Sequence, residues 1–225
     1  MSSRIERGAR AISAAFLICT AAFLAAPAQA AERVASLGNS ANSALSHIEQ
    51  SSFATVGAVT RAPIGWVEFC IEYKPECDTT RSQPRDIVLT ERAWADLVKV
   101  NDWVNRTIKP MTDLEHWGVV ERWNYPDDGY GDCEDYVLMK RRMLIKAGWP
   151  RQALLITVVR DKKGDGHAVL TVKTDRGEYI LDNQENEIVA WYRTGYRFVK
   201  RQSQSDQNTW VALGEPSAPT AVSAR

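Results

Sequence analysis

A chain of 225 residues with 44% hydrophobic content and eight tryptophans is long and apolar enough to build a real core as one domain with ragged ends. Its 28 basic and 28 acidic residues cancel, so nothing in the charge balance marks a nucleic-acid binder.

The first thirty residues have the grammar of an export signal. Arg4, Arg7 and Arg10 form a basic start, Ala11 to Ala26 is apolar apart from Ser13 and Thr20, and Ala28-Gln29-Ala30 is an A-x-A site. The pattern predicts a cleavable signal peptide over 1–30, cut near Ala30. A permanent membrane anchor is the weaker reading, because the apolar core is short and alanine-rich. The mature chain is therefore expected in a bacterial periplasm. Three arginines and one glutamate leave with the signal, so it carries 25 basic and 27 acidic residues, a net charge of −2.

Residues 31–60 are rich in Ala, Ser, Asn and Thr and read as a linker or flexible arm. A single domain is expected over 61–213, starting with an irregular stretch over 61–86. Cys70 and Cys77 lie seven positions apart in that stretch. In an oxidising space they predict a local disulfide, and so short a loop gives about 2–3 kcal/mol. A zinc pair is the rival, but no second Cys/His pair has zinc-finger spacing. Cys19 departs with the signal. Cys133 is then the odd cysteine, either a reactive thiol or an intermolecular link.

From Thr90, a suitable N-cap, the residues Trp94, Leu97, Val98, Asn101, Val104 and Ile108 recur at helical steps until Pro110. Trp94 and Trp103 are expected in the core. Residues 111–131 read as a long loop carrying Trp117 and Trp123, either of which can line a groove or pack as core. A second helix is predicted from Asp132 to Ala147, stopped by Gly148 and Pro150. Strands follow over 153–160, 167–174, 178–182, 191–200 and 210–213, then a disordered tail over 214–225. Helices first and hairpin-linked strands after predict an α+β fold, with N-terminal helices packed on an antiparallel sheet.

Cys133 opens the second predicted helix, where unpaired N–H groups favour a thiolate. Asp132, Glu134 and Asp135 surround it with carboxylates that oppose one. Either a cation compensates, from a protonated His167 or a bound calcium ion, or these acids simply cap the helix. Of the three histidines, His167 at a strand start is the best partner imidazole, His116 the second, and His47 lies in the arm. Asp182 closes the next strand. Cysteine, histidine and aspartate in that order suggest nucleophile, base and orienting acid. The assignment needs a two-residue Asp175-Arg176 loop pairing Thr174 with Gly177, which sets His167 diagonal to Asp182, or a bulge that restores that register; a three-residue loop with simple pairing would separate them.

The run Gly131-Asp132-Cys133-Glu134-Asp135-Tyr136, with Lys140, Gly148, His167-Ala168-Val169-Leu170 and Leu181-Asp182-Asn183, resembles the bacterial transglutaminase-like cysteine proteinases. Trp66, Cys70 and Cys77 are similar to the leading segment of members from alphaproteobacteria. The resemblance covers roughly residues 61–200. It implies a papain/transglutaminase-like fold with Cys133 as nucleophile, His167 as general base and Asp182 as orienting acid. It also implies calcium-linked carboxylates at Asp132 and Glu134, with Asp135 a third candidate, and no organic cofactor. The family's best-known members are periplasmic, calcium-dependent proteases that clip large surface adhesins and so release biofilms. A protein substrate such as an adhesin is therefore expected, with room for a membrane regulator and no nucleic acid. In one departure, the acid following Trp123 and Pro126 is Asp where the adhesin proteases have Glu, which bears on substrate choice.

The leading expectation is a cysteine endopeptidase working through an acyl-enzyme, its oxyanion held by the Cys133 N–H and the Trp123 indole. A transglutaminase or amidase using the same triad is the first alternative. A non-catalytic secreted binding domain is the second, and rapid labelling of Cys133 by a thiol reagent would count against it.

Overall fold

A computed structural model describes residues 52–77 and 81–214. The expected signal peptide, Cys19, His47, most of the arm and the tail from 215 onward lie outside the described residues. No helix among the described residues is long and apolar enough to cross a membrane.

Nine strands and five α-helices are described. The strands are β1 (Val56–Thr60), β2 (Lys109–Pro110), β3 (Tyr130–Gly131), β4 (Leu154–Arg160), β5 (Gly166–Thr174), β6 (Gly177–Leu181), β7 (Val189–Ala190), β8 (Arg197–Gln202) and β9 (Trp210–Leu213). The helices are α1 (Ile64–Glu72), α2 (Lys74–Cys77), α3 (Glu91–Thr107), α4 (Asp113–Trp117) and α5 (Cys133–Lys146). Seven strands form one antiparallel sheet in the order β1-β9-β8-β4-β5-β6-β7, and β2 and β3 pair separately in parallel.

The main helices arise where the sequence predicts them. Thr90 caps α3 by accepting the Ala93 N–H at 3.1 Å. Helix α5 ends against Gly148, whose φ of 91° is a conformation that favours glycine. Leu97 of α3 and Val137, Leu138 and Leu144 of α5 join Leu154, Ile156, Leu170 and Leu181 of the sheet in one buried core. Arg141 anchors α5 further, donating from Nε to the Leu154 carbonyl at 3.0 Å and from Nη2 to Gln207 Oε1 at 2.6 Å.

Four expectations need correction. The expected arm contains β1, an edge strand paired with β9; all five of its residues are exposed, so no buried face marks it in the sequence. The stretch expected to be irregular holds α1 and α2, anchored by a cluster in which Trp66 stacks on Phe69 and meets Trp123 and Trp210. The expected strand over 191–200 begins as a 3₁₀ turn, Trp191–Arg193, before β8. Trp103 is 45% exposed, because it lies off the buried Leu97–Asn101–Val104 stripe of α3, whereas Trp94 packs half-buried against the core, edge-on to Tyr179.

Candidate active site

Two local features deliver Cys133. The β2–β3 pairing sets Gly131 just ahead of α5. A Cβ on Gly131 would lie 2.6 Å from Asp135 Oδ2 and 2.7 Å from its Cβ, so only glycine lets the first turn of α5 fold back this closely. Cys133 is half-buried and opens on a cleft of about 400 Å³, lined also by Pro63, Ile64, Trp123, Glu134 and His167. Ala168, next in chain to His167, also lines this cleft.

His167 comes from the start of β5, and Asp182 follows the end of the adjacent β6. Thr174 pairs with Gly177, the register the triad reading requires. His167 Nε2 meets Asp182 Oδ1 at 2.8 Å, with both side chains buried. Gln184 N–H donates to the same oxygen at 3.0 Å, Tyr196 Oη–H donates to Oδ2 at 2.6 Å, and Asn105 Nδ2 donates to the Asp182 carbonyl at 2.8 Å. Burial alone would raise the Asp182 pKa. The hydrogen bond and charge of His167, with the Tyr196 and Gln184 donors, outweigh it and hold the carboxyl below its ordinary value. Nδ1 is left as the ring nitrogen for the cleft.

The thiol's own hydrogen bond runs elsewhere. Cys133 Sγ–H donates to Glu134 Oε2 at 3.1 Å. Burial, then the charge and hydrogen bond of Glu134, push the thiol well above its ordinary range.

Glu134 belongs to an acidic cluster with Asp113 and Asp132, each offering an oxygen within 4.8 Å of the others. Asp132 is the N-cap residue of α5, yet its side chain makes no capping bond. Its Oδ2 accepts the Asp113 N–H at 3.2 Å, and its Oδ1 is buried without a partner. Asp113 also accepts the Arg122 N–H. Burial raises Asp113 to about 6, and burial followed by the Asp132 charge raises Glu134 well above its ordinary value. The all-oxygen donor set and the orphaned Asp132 oxygen suit a hard cation. Asp135 is not one of the three. Its Oδ1 accepts the Asn124 N–H at 2.9 Å, and burial pushes its carboxyl up to about 8.

The sequence profile described as "Bacterial transglutaminase-like cysteine proteinase BTLCP" matches residues 56–218. The chain belongs to this family of bacterial transglutaminase-like cysteine proteinases. It is thus a cysteine peptidase of transglutaminase-like α+β fold. Solved structures of Legionella pneumophila LapG are similar to this proteinase. The calcium-bound form is 27% identical over 56% of this chain and 73% of that one, with a TM-score of 0.46. Another LapG structure is 28% identical over 53% and 68%, and an EGTA-treated one 26% identical over 56% and 74%, each with a TM-score of 0.45. No curated protein matches the chain.

Several other residues of the proteinase take specific places. Trp123 lines the cleft, but its indole N–H donates to Glu121 Oε1 at 2.7 Å, so it is already engaged. His116 pairs with Asp128 at 2.7 Å and stacks on Trp117, and it is not among the cleft-lining side chains. Cys70 and Cys77 form the expected disulfide, and Cys133 is the free cysteine among the described residues. Asp113 escaped the sequence reading because residues 111–131 were expected to be loop. A signal was there. Thr112 and Glu115 have capping-box spacing, and both reciprocal bonds form at the start of α4.

Proposed function

We propose that this proteinase is a periplasmic endopeptidase in which Cys133 is the nucleophile, His167 the general base and Asp182 the orienting acid. The observation that carries the reading is the buried 2.8 Å His167–Asp182 hydrogen bond beside the cleft on which Cys133 opens. His167 Nδ1 takes the thiol proton as Sγ attacks the peptide carbonyl carbon. The same nitrogen returns the proton to the leaving amine, and then activates water against the thioester. The Cys133 N–H, in the first turn of α5 where no helical carbonyl lies within reach, faces the developing oxyanion. The Trp123 indole joins it only by leaving Glu121.

Calcium dependence belongs to the same proposal. Asp113, Asp132 and Glu134 would hold the ion, and Asp113 replaces Asp135 as third candidate ligand. A bound dication would balance three crowded carboxylates beside the thiol. The export pattern at residues 1–30 supports the periplasmic placement, and the family resemblance supports a large surface adhesin as substrate, with a membrane regulator as a further partner.

A comparison of surface and secreted proteins from cells carrying the wild-type chain or Cys133→Ala tests the reading. One large surface protein should stay intact in the mutant. Identical processing in both strains would sink the proposal. Release of an amine-crosslinked product in place of a hydrolysed one would move it to the transferase reading.

A further inference from the structure

The Asp182 carboxylate has a second, unassigned partner. Oδ1 serves His167 and Gln184, while Oδ2 is held by the Tyr196 hydroxyl at 2.6 Å. The Tyr196 ring also stands edge-on to the His167 imidazole, with centroids 5.7 Å apart and planes at 89°. One side chain therefore touches both members of the dyad.

Topology explains how it arrives. The chain leaves β7 at one edge of the sheet and must cross to β8, which lies beside β4. The crossing passes the end of the sheet where β5 begins and β6 ends, the end that carries His167 and Asp182. A 3₁₀ turn at Trp191–Arg193 and Gly195, whose φ of 73° favours glycine, steer that crossing. The Thr194 hydroxyl accepts the Tyr196 N–H at 3.1 Å and fixes where the tyrosine starts.

A cavity of about 200 Å³, separate from the Cys133 cleft, is lined by Asp182, Tyr196, Lys162, Glu185, Arg193 and Thr194. Neither Cys133 nor His167 lines it. Asp182 and Tyr196 line this cavity side by side, and the Tyr196 hydroxyl occupies the carboxylate oxygen that His167 does not use. With the hydroxyl gone, water from the cavity would compete for Oδ2 and the carboxylate could rotate.

We infer that Tyr196 is a positioning residue of the peptidase, holding the Asp182 carboxylate in the rotation that keeps the His167 imidazole directed at Cys133. The inference rests on the Cys133–His167–Asp182 reading. Tyr196 does not line the Cys133 cleft, so its hydroxyl acts on the reaction through Asp182.

Tyr196→Phe removes the hydroxyl and keeps the ring. It is compared with Asp182→Ala, the double variant and Cys133→Ala, in calcium-containing buffer, by initial cleavage of a proteome-derived peptide library. Tyr196→Phe should cut the rate about tenfold, the size expected for one hydrogen bond to a charged group. In the Asp182→Ala background it should cost nothing further, since its partner is already absent. The proton NMR signal of His167 Nε2–H should shift upfield in Tyr196→Phe, while the backbone amide spectrum stays native. A wild-type rate and an unmoved Nε2–H signal would overturn the inference. So would an equal loss in the Asp182→Ala background. An inactive Cys133→Ala beside a fully active Tyr196→Phe would retire Tyr196 and leave the triad standing. An active Cys133→Ala would retire both.

Discussion

Cys133 gives its thiol hydrogen to Glu134 Oε2, its immediate neighbour in the chain, at 3.1 Å. A protonated thiol held by a carboxylate is a poor nucleophile, because thiolate is the reacting species. The same carboxylate belongs to the Asp113–Asp132–Glu134 cluster, so the proposed metal site and the proposed nucleophile meet at one side chain. Alkylation of Cys133 by iodoacetamide near neutral pH is expected to be slow in chelator and faster in excess calcium. Asp113→Asn, remote from the thiol in sequence, should weaken that calcium response while the chelator rate stays unchanged. Equal rates with and without calcium in the wild-type chain would exclude the link.

Asp182 should matter more to turnover than to binding. Its Oδ1 is the only side-chain oxygen described as hydrogen-bonded to His167, and in the proposed mechanism its charge would favour the imidazolium formed as the thiol is deprotonated. Asp182→Asn keeps the shape and loses the charge. The expected result is a fall in kcat of about 10²-fold with KM little changed. A rise in KM alone would assign Asp182 to substrate binding instead.

What could be read from the sequence follows from how local each relationship is. Cys133 announces itself by standing at a helix start, and His167 and Asp182 are joined by a short hairpin, so one register suffices to bring them together. Asp113 lies nineteen positions before Asp132 and reaches it only because β2 and β3 pair across the loop that separates them. Two-residue strands carry no alternation to reveal such a pairing. Tyr196 meets Asp182 by a crossover past three strands, a path that strand order alone defines. Trp103 shows the opposite failure: its size suggested burial, but helical periodicity puts it to the side of the stripe that α3 buries.

Gly65 is expected to be hard to replace. A Cβ there would collide with the indole of Trp123, which packs against α1 and lines the cleft. The obstacle is a rigid ring within a tryptophan cluster, not the end of a flexible chain. Gly65→Ala should therefore destabilise by about 1–3 kcal/mol, as overpacked sites do, and also slow cleavage by displacing Trp123. Thermal unfolding with tryptophan fluorescence checks both the stability and the ring's environment. An unchanged melting temperature and spectrum would show that the chain yields at α1.

Lys140 offers a separation of stability from function. It is fully buried on α5, its Nζ has no hydrogen-bond partner, and the nearest aromatic face, Tyr136, lies 6.0 Å away. Burial lowers its pKa to about 7, with the charge of Asp182 pulling weakly the other way. In the unfolded chain a lysine titrates near 10.4. Below about pH 7 both states hold the proton and the full burial penalty applies. Between about 7 and 10 the unfolded chain binds more protons than the folded one, so this residue makes stability rise with pH. Lys140→Met, similar in length and uncharged, should raise stability by about 2–4 kcal/mol at pH 7 and remove that alkaline rise. Urea unfolding of both proteins across pH 6–10 tests the sign directly. A less stable Lys140→Met at every pH would mean that the ammonium is satisfied after all, and that its burial contributes to holding α5 against the sheet.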